Sequence, residues 1–281
     1  MKYQQLLLAL DLQHDATHLI QRAAKLAQRL DAELTLLSVI PSVVERESAA
    51  TSVWQLKQQG IDYLTHITSA LPCHIRRYQI EAGDVVLQLQ CAVRELHPDL
   101  VLLGHRHMTG LLSGLHNTLV AQLLPTAGVD ILLLDEDAPF WSSPLHFTVA
   151  LGLEEADFAL LLRANALARK LDAQLTVVHV VEPLAEAHLA IELEQSSMSW
   201  LTAALDQAEH KLADWMARLP TSPPRWRVQQ GEAAVVLQQH LEQTRDALLI
   251  MGAGQTGHHH LTTGAHLAQL LKLRGDLLII Q

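Results

Sequence analysis

Short apolar runs and longer stretches of helical periodicity alternate along the whole chain. QQLLLALD (4–11) is a brief, almost unbroken apolar segment, the pattern of a strand covered on both faces. In HDATHLIQRAAKLAQRL (14–30), Leu19, Ile20, Ala23, Leu26, Ala27 and Leu30 recur at helical spacing and predict a helix with one buried stripe. Next come a strand at ELTLLSVI (33–40), a long helix within 47–71, a strand at CHIRRYQI (73–80) and a helix at DVVLQLQCAVREL (84–96). Strand DLVLLG (99–104), a loop, helix NTLVAQLL (117–124) and strand DILLL (130–134) complete a first series. A second series runs in the same order to DLLII (276–280).

The two series are copies of one design. AAKLAQRLDAELTLLSV (23–39) and ANALARKLDAQLTVVHV (164–180) agree at nine of seventeen positions with an offset of 141. EAGDVVLQLQ (81–90) answers QQGEAAVVLQ (229–238), and DLVLLG answers ALLIMG (247–252), both at 148. VAQLL (120–124) matches LAQLL (267–271) at 147, and Asp130 matches Asp276 at 146. Self-similarity on this scale marks a tandem duplication. The Pro-, Ser- and acid-rich DEDAPFWSSP (135–144) reads as the linker, which places the domains at 1–137 and 145–281.

Alternating β and α segments with buried strands predict a parallel sheet covered by helices on both sides, hence an α/β chain of two doubly wound, five-stranded domains. In such folds a crevice opens where neighbouring strands send their connections to opposite faces. Strands 1 and 4 are the natural pair to flank it, and they end at Asp11 and Gly104.

Composition narrows the function. Over 281 residues, 49% are hydrophobic, and 30 acids against 20 Lys and Arg leave a net charge of −10. That content supports packed cores and excludes disorder as the main state. The acidic balance, without any basic run, argues against nucleic acid as a partner. The first residues lack the long apolar core of a signal peptide, and no apolar run reaches the roughly 20 residues of a bilayer span. A cytoplasmic protein with no membrane partner is expected. Cys73 and Cys91 read as two half-buried thiols of a reducing compartment.

Several tempting motifs resolve into simpler readings. GAGQTG (252–257) spells a dinucleotide fingerprint, but it follows the fourth strand of its domain and lacks an acid at the end of a following strand. His258, His259 and His260 are consecutive, and because adjacent residues in a chain generally diverge they read as a solvated loop rather than a metal site. His105 and His107 read the same way. His179 and His210 read as packing or surface residues, and the five tryptophans are too scattered to form a stacking platform. The stripe Leu201, Leu205, Ala208, Leu212, Trp215, Leu219 is expected to be core. No nucleophile elbow, Walker A lysine, HExxH or paired CxxC is present, so the chain is not expected to be an enzyme.

An Asp at the end of strand 1 (Asp11), a Gly-Asp pair before the third helix (Gly83, Asp84) and DLVLLGHRHMTGLLSGLHNTLVAQLL ahead of a final apolar strand resemble a universal stress protein domain. The resemblance extends over both halves, as in tandem members of that family. It implies the adenine nucleotide α-hydrolase-like fold, with the domains forming an internal pseudo-dimer through their final strands, 130–134 and 276–280. It also implies a stress-response protein that acts by binding, with ATP or another adenine nucleotide as ligand and no metal beyond nucleotide-associated magnesium. Itself is one expected partner, as pseudo-dimer or homodimer; the protein partners are not specified.

In nucleotide-binding members the loop after strand 4 carries G-x2-G-x9-G-[S/T] around the phosphates, while the strand 1 Asp meets the adenine. Carried over to the first copy, the cofactor-binding residues are Asp11, Val39, Gly104, Arg106, Gly110, Asn117 and Thr118. Glycine suits this role because it lets backbone approach an anion closely. Two motif glycines are replaced, by His107 and Asn117, and Gly110 and Gly114 supply flexibility nearby. In the second copy Gly152 stands where Asp11 stands, Gln255 replaces the second glycine, and Gly264-Ala265 takes the place of Gly-[S/T], so that site is expected to be degenerate. A nucleotide-independent adaptor and a weak ATP hydrolase are the alternatives.

Overall fold

A computed structural model of the chain describes residues 3–12, 14–41, 53–71, 73–105, 120, 122–123, 128–138, 141, 143–182, 197–244, 248–253 and 275–281. The chain divides into two compact units, residues 2–140 and 141–280.

The first unit contains β1 (Gln5–Leu10), α1 (Thr17–Leu30), β2 (Glu33–Pro41), α2 (Val53–Thr68), β3 (Ile75–Gly83), α3 (Val85–Leu96), β4 (Leu100–His105) and β5 (Asp130–Asp135). Its strands are parallel in the order β3-β2-β1-β4-β5. The second unit contains β6 (Leu145–Ala150), α4 (Glu155–Lys170), β7 (Ala173–Val181), α5 (Ser197–Arg218), β8 (Arg225–Gln230), α6 (Ala233–Thr244), β9 (Leu248–Gly252) and β10 (Asp276–Ile280). Its order, β8-β7-β6-β9-β10, is the same arrangement with each strand replaced by its copy. The registers coincide as well. Val39 pairs with Glu81 and Val180 with Gln229, while Leu6 pairs with Leu100 and Phe147 with Leu248. The offsets of 141 and 148 are therefore offsets between structurally equivalent residues.

The helical stripe of α1 meets the sheet as its spacing requires: Leu19, Ile20, Ala23, Leu26, Ala27 and Leu30 are all buried. Leu6, Leu7 and Leu8 of β1, whose side chains alternate between the two faces of the sheet, are each at most 1% exposed. Burying one such side chain stabilises a fold by about 1.5–3 kcal/mol, so this layer is a large share of the unit's stability. The helix ends at Asp31, whose left-handed backbone (φ 53°) turns its N–H back onto the Ala27 and Gln28 carbonyls. Asp172, its copy, has φ 54°. Asp tolerates that region better than most residues, which explains why both copies stop at Leu-Asp.

The observed elements differ modestly from those read off the chain. Helix α1 starts at Thr17 because Asp15 Oδ1 accepts the Thr17 N–H and holds the entry turn. Strand β3 is displaced toward Gly83, which pairs with Pro41 at φ +132°. Of the two thiols, Cys73 is half-buried and Cys91 is exposed, since Cys91 lies on the outer face of α3 while Ala92 and Val93 face inward. Burial pushes the Cys73 thiol pKa up. Of the predicted stripe, Ala208, Leu212 and Trp215 of α5 and Leu219 just beyond it are buried, with Phe158 edge-on to Trp215 at 5.5 Å, whereas Leu201 and Leu205 are only half-buried. Among the described residues no helix is long and apolar enough to cross a membrane.

Candidate functional site

Strands β1 and β4 are hydrogen-bonded neighbours. From them the chain leaves in opposite directions, β1 toward β2 and β4 toward β5, so the topological switch point lies between Asp11 and Gly104 as expected.

A cavity of about 300 Å³ opens at the carboxyl ends of β1 and β2, walled by α2. Asp11 and Leu12 form one side, Ser38, Val39 and Ile40 the next, and Gly60 and Tyr63 of α2 the third. Most of this lining is apolar, and Asp11 supplies a carboxylate at the rim. Its Oδ2 lies 3.1 Å from His14 Nδ1, with both side chains more than half exposed. A contact so solvated contributes little to stability. Beyond Val39, Lys57 of α2 donates to Glu81 of β3 at 2.8 Å and fixes the outer wall.

Gly60 is the residue that brings α2 close. A Cβ there would overlap Ile80 Cδ1 and stand 3.3 Å from Leu12 Cδ1. A lone glycine inside a helical run is the sequence signal of such an approach, and it identifies a wall residue that motif reasoning passes over. Gly104 has a comparable constraint. A Cβ on it would come within 2.5 Å of Glu136 Oε1 and 2.8 Å of Leu19 Cδ2. Glu136 is brought there by the end of β5: its N–H donates to the His105 carbonyl at 2.9 Å, continuing the β4–β5 ladder past Asp135. Beneath this turn the guanidinium of buried Arg22 donates to the Asp135 carbonyl. Glu136 has no counterpart in the family motif, and no spacing rule points to it.

Among the residues expected at the site, the structure thus brings Asp11 and Val39 into one cavity and sets Gly104 at the neighbouring strand end. Arg106, His107, Gly110, Asn117 and Thr118 lie outside the described residues, as do His258, His259 and His260. Among the described residues no group of three or more His, Cys, Asp or Glu side chains is placed to hold a metal ion.

The equivalent place in the second unit is built differently. Gly152 replaces Asp11, and the next residue, Leu153, is buried with φ +64°, whereas Leu12 lines the cavity. His179 replaces Ser38 and donates from Nδ1 to the Leu151 carbonyl at 2.8 Å. Glu182 replaces Pro41 and accepts the Ala233 N–H at the start of α6 at 2.8 Å. Glu154 and Asp157 close a capping box on α4, and burial pushes the Asp157 pKa up. The strand-end polar groups named here are engaged by the unit's own side chains.

Comparison with known proteins agrees with this architecture. The family model for the universal stress protein family matches residues 2–134 and again 146–273. Universal stress protein D of Escherichia coli K12 is 27% identical over 139 residues, 48% of this chain and 94% of that protein. Among solved structures, a universal stress protein from Archaeoglobus fulgidus aligns over 100% of this chain and 97% of its own at a TM-score of 0.67 and 13% identity. A Pseudomonas aeruginosa PAO1 protein described as functionally unknown aligns over 99% and 92% at 0.68 and 13%. At such identities the structural likeness speaks for the fold alone.

Proposed function

Because this chain belongs to the universal stress protein family in both of its halves, we propose that it is a cytoplasmic stress-response protein that works by binding an adenine nucleotide in its first unit. The observation that carries the reading is the cavity at the ends of β1 and β2, which is lined by both Asp11 and Val39. Its apolar walls suit the faces of a purine, and the Asp11 carboxylate is an acceptor for an exocyclic amine. The volume, about 300 Å³, is at the lower end of the range for small-molecule sites, enough for a base with its ribose. The second unit serves as scaffold or regulator. The reading is occupancy rather than turnover.

Native mass spectrometry and calorimetry on the full chain test this. The expected result is binding of AMP or adenosine, weakened about tenfold or more by Asp11→Ala. A chain that takes up no adenine ligand under any condition refutes the reading and favours the nucleotide-independent adaptor.

A further inference from the structure

The one Arg-Arg pair in the sequence, Arg76-Arg77, lies at the start of strand β3, at the opposite end of the first unit's parallel sheet from the crevice. Successive residues of a strand ordinarily face opposite sides of a sheet. Here they do not. Leu34 of β2 pairs with Ile75 and Thr35 pairs with Arg77, so Arg76 is an extra residue in the ladder, a bulge. Both arginines thereby line one cavity of about 330 Å³, together with Glu95 and Leu96 of α3 and with Thr35, which is 6% exposed. Arg76 Nη1 lies 3.3 Å from Glu33 Oε2, which His74 shares through Oε1 at 3.7 Å, and Arg77 Nη1 lies 3.2 Å from Glu95 Oε1. The two arginines are 48% and 51% exposed, and pairs so solvated contribute little to stability. A guanidinium carries five N–H donors, and each of these contacts is made through Nη1. The cavity is thus lined by two permanent cations against one carboxylate.

We propose that this cavity is a second ligand site, which holds a phosphate group between Arg76 and Arg77. Planar guanidinium forks match phosphate oxygens two at a time, and such charge-assisted bonds are stronger than neutral ones. Thr35 adds a hydroxyl donor to the lining, and the volume admits a phosphate with a small organic group. Glu95 opposes the anion and keeps its binding weak and reversible. The second unit lacks the pair. At the equivalent offsets Thr176 pairs with Arg225, but Pro224 stands for Arg76, Gln243 stands for Glu95, and β8 begins only at Arg225. One guanidinium remains there where the first unit has two. The inference does not depend on the adenine reading, because Asp11 and Val39 lie at strand ends and this pair at a strand start.

The test is calorimetric titration of the full chain with inorganic phosphate and with glycerol 3-phosphate at fixed ionic strength, for the unaltered protein, Arg76→Gln, Arg76→Lys, Glu95→Gln and Arg225→Gln. The unaltered protein is expected to bind one phosphate probe at this site with millimolar or better affinity. Arg76→Gln is expected to weaken it about tenfold, and Arg76→Lys, which keeps the charge and loses the fork, by less. Glu95→Gln should tighten it about threefold, a gain that a misfolded chain cannot give. Arg225→Gln, the change at the equivalent of Arg77, should leave it within about twofold. Tighter binding of glycerol 3-phosphate than of inorganic phosphate would support the site and identify its ligand as an organic phosphate, and equal binding would support a site for the free anion. No phosphate uptake by the unaltered protein, or uptake that Arg76→Gln and Glu95→Gln leave unchanged, would overturn the proposal.

Discussion

The ends of β1 and β2 and the ends of β6 and β7 are the same place in two copies of one fold, and they have been finished in opposite ways. In the first, Asp11, Ser38 and Val39 border an open cavity. In the second, Gly152 withdraws the carboxylate, Leu153 is buried, and His179 hydrogen-bonds the Leu151 carbonyl. The strand registers beneath are identical, so the difference comes from side chains at the strand ends and not from the sheet.

The cores show how such divergence proceeds: equivalent residues change in contacting pairs. In the first unit the Thr68 and Tyr78 hydroxyls lie 2.6 Å apart; at the 148 offset stand two residues without hydroxyls, buried Met216 and the 37% exposed Trp226. Conversely, buried Leu7 and Ala92 of the first unit correspond to Thr148 and His240 of the second, whose Oγ1 and Nε2 are 3.0 Å apart at 0% and 2% exposure. A buried polar group costs stability unless it is partnered, so neither member of such a pair changes alone without loss.

That coupling can be broken deliberately. The largest effect is expected at the polar pair of the second unit. His240→Ala leaves a cavity and removes the hydrogen bond between Nε2 and Thr148 Oγ1, for a loss of about 2–4 kcal/mol by urea denaturation. Adding Thr148→Leu recreates the first unit's pair and should recover at least about 1 kcal/mol of it; simple additivity would show that the pairs do not co-adapt. Next is the cavity wall. Gly60→Ala should cost about 1–2 kcal/mol through overlap with Ile80, even after the helix gains from alanine. Ile80→Val in the same chain should relieve it, because the second unit carries Ala208 and Val228 at the corresponding offsets. No rescue would mean that the overlap is not what keeps residue 60 a glycine. The smallest effect concerns helix starts. Asp84 caps α3 from its own N-cap position, its Oδ1 accepting the Leu87 N–H at 2.9 Å, whereas α6 is capped from the neighbouring strand by Glu182. Asp84→Ala and Glu182→Ala should each cost about 1 kcal/mol in thermal melts. A neutral Glu182→Ala would show that only the local cap matters.

Much of the architecture was legible because it rests on repetition. The apolar run of β1, the six-residue stripe of α1 and the offsets between copies suffice for the strand count, the fold class and the pairing of equivalent residues. The position of the crevice also followed, since a doubly wound sheet has a switch point and Asp11 and Gly104 end the strands beside it. The site's finer construction was hidden for a physical reason. Which side chain fills the space over Gly104 depends on where the chain turns after β5, and Glu136 lies 32 residues further along the chain. Gly60 carried a readable signal, a glycine within a helical run, though not the identity of Ile80 as the group it accommodates. His179, placed by sequence among packing residues, proves to hold the Leu151 carbonyl, a contact set by strand register rather than by any motif.

The measurement that bears most directly on the divergence of the two copies is the stoichiometry of adenosine binding to the full chain, repeated with Val39→Trp and with Val180→Trp. Both residues are half-buried at equivalent strand ends, so each indole intrudes at the same place in its own unit. The account predicts one site per chain, abolished by Val39→Trp and untouched by Val180→Trp. Two sites per chain, or a single site lost with Val180→Trp, would contradict it.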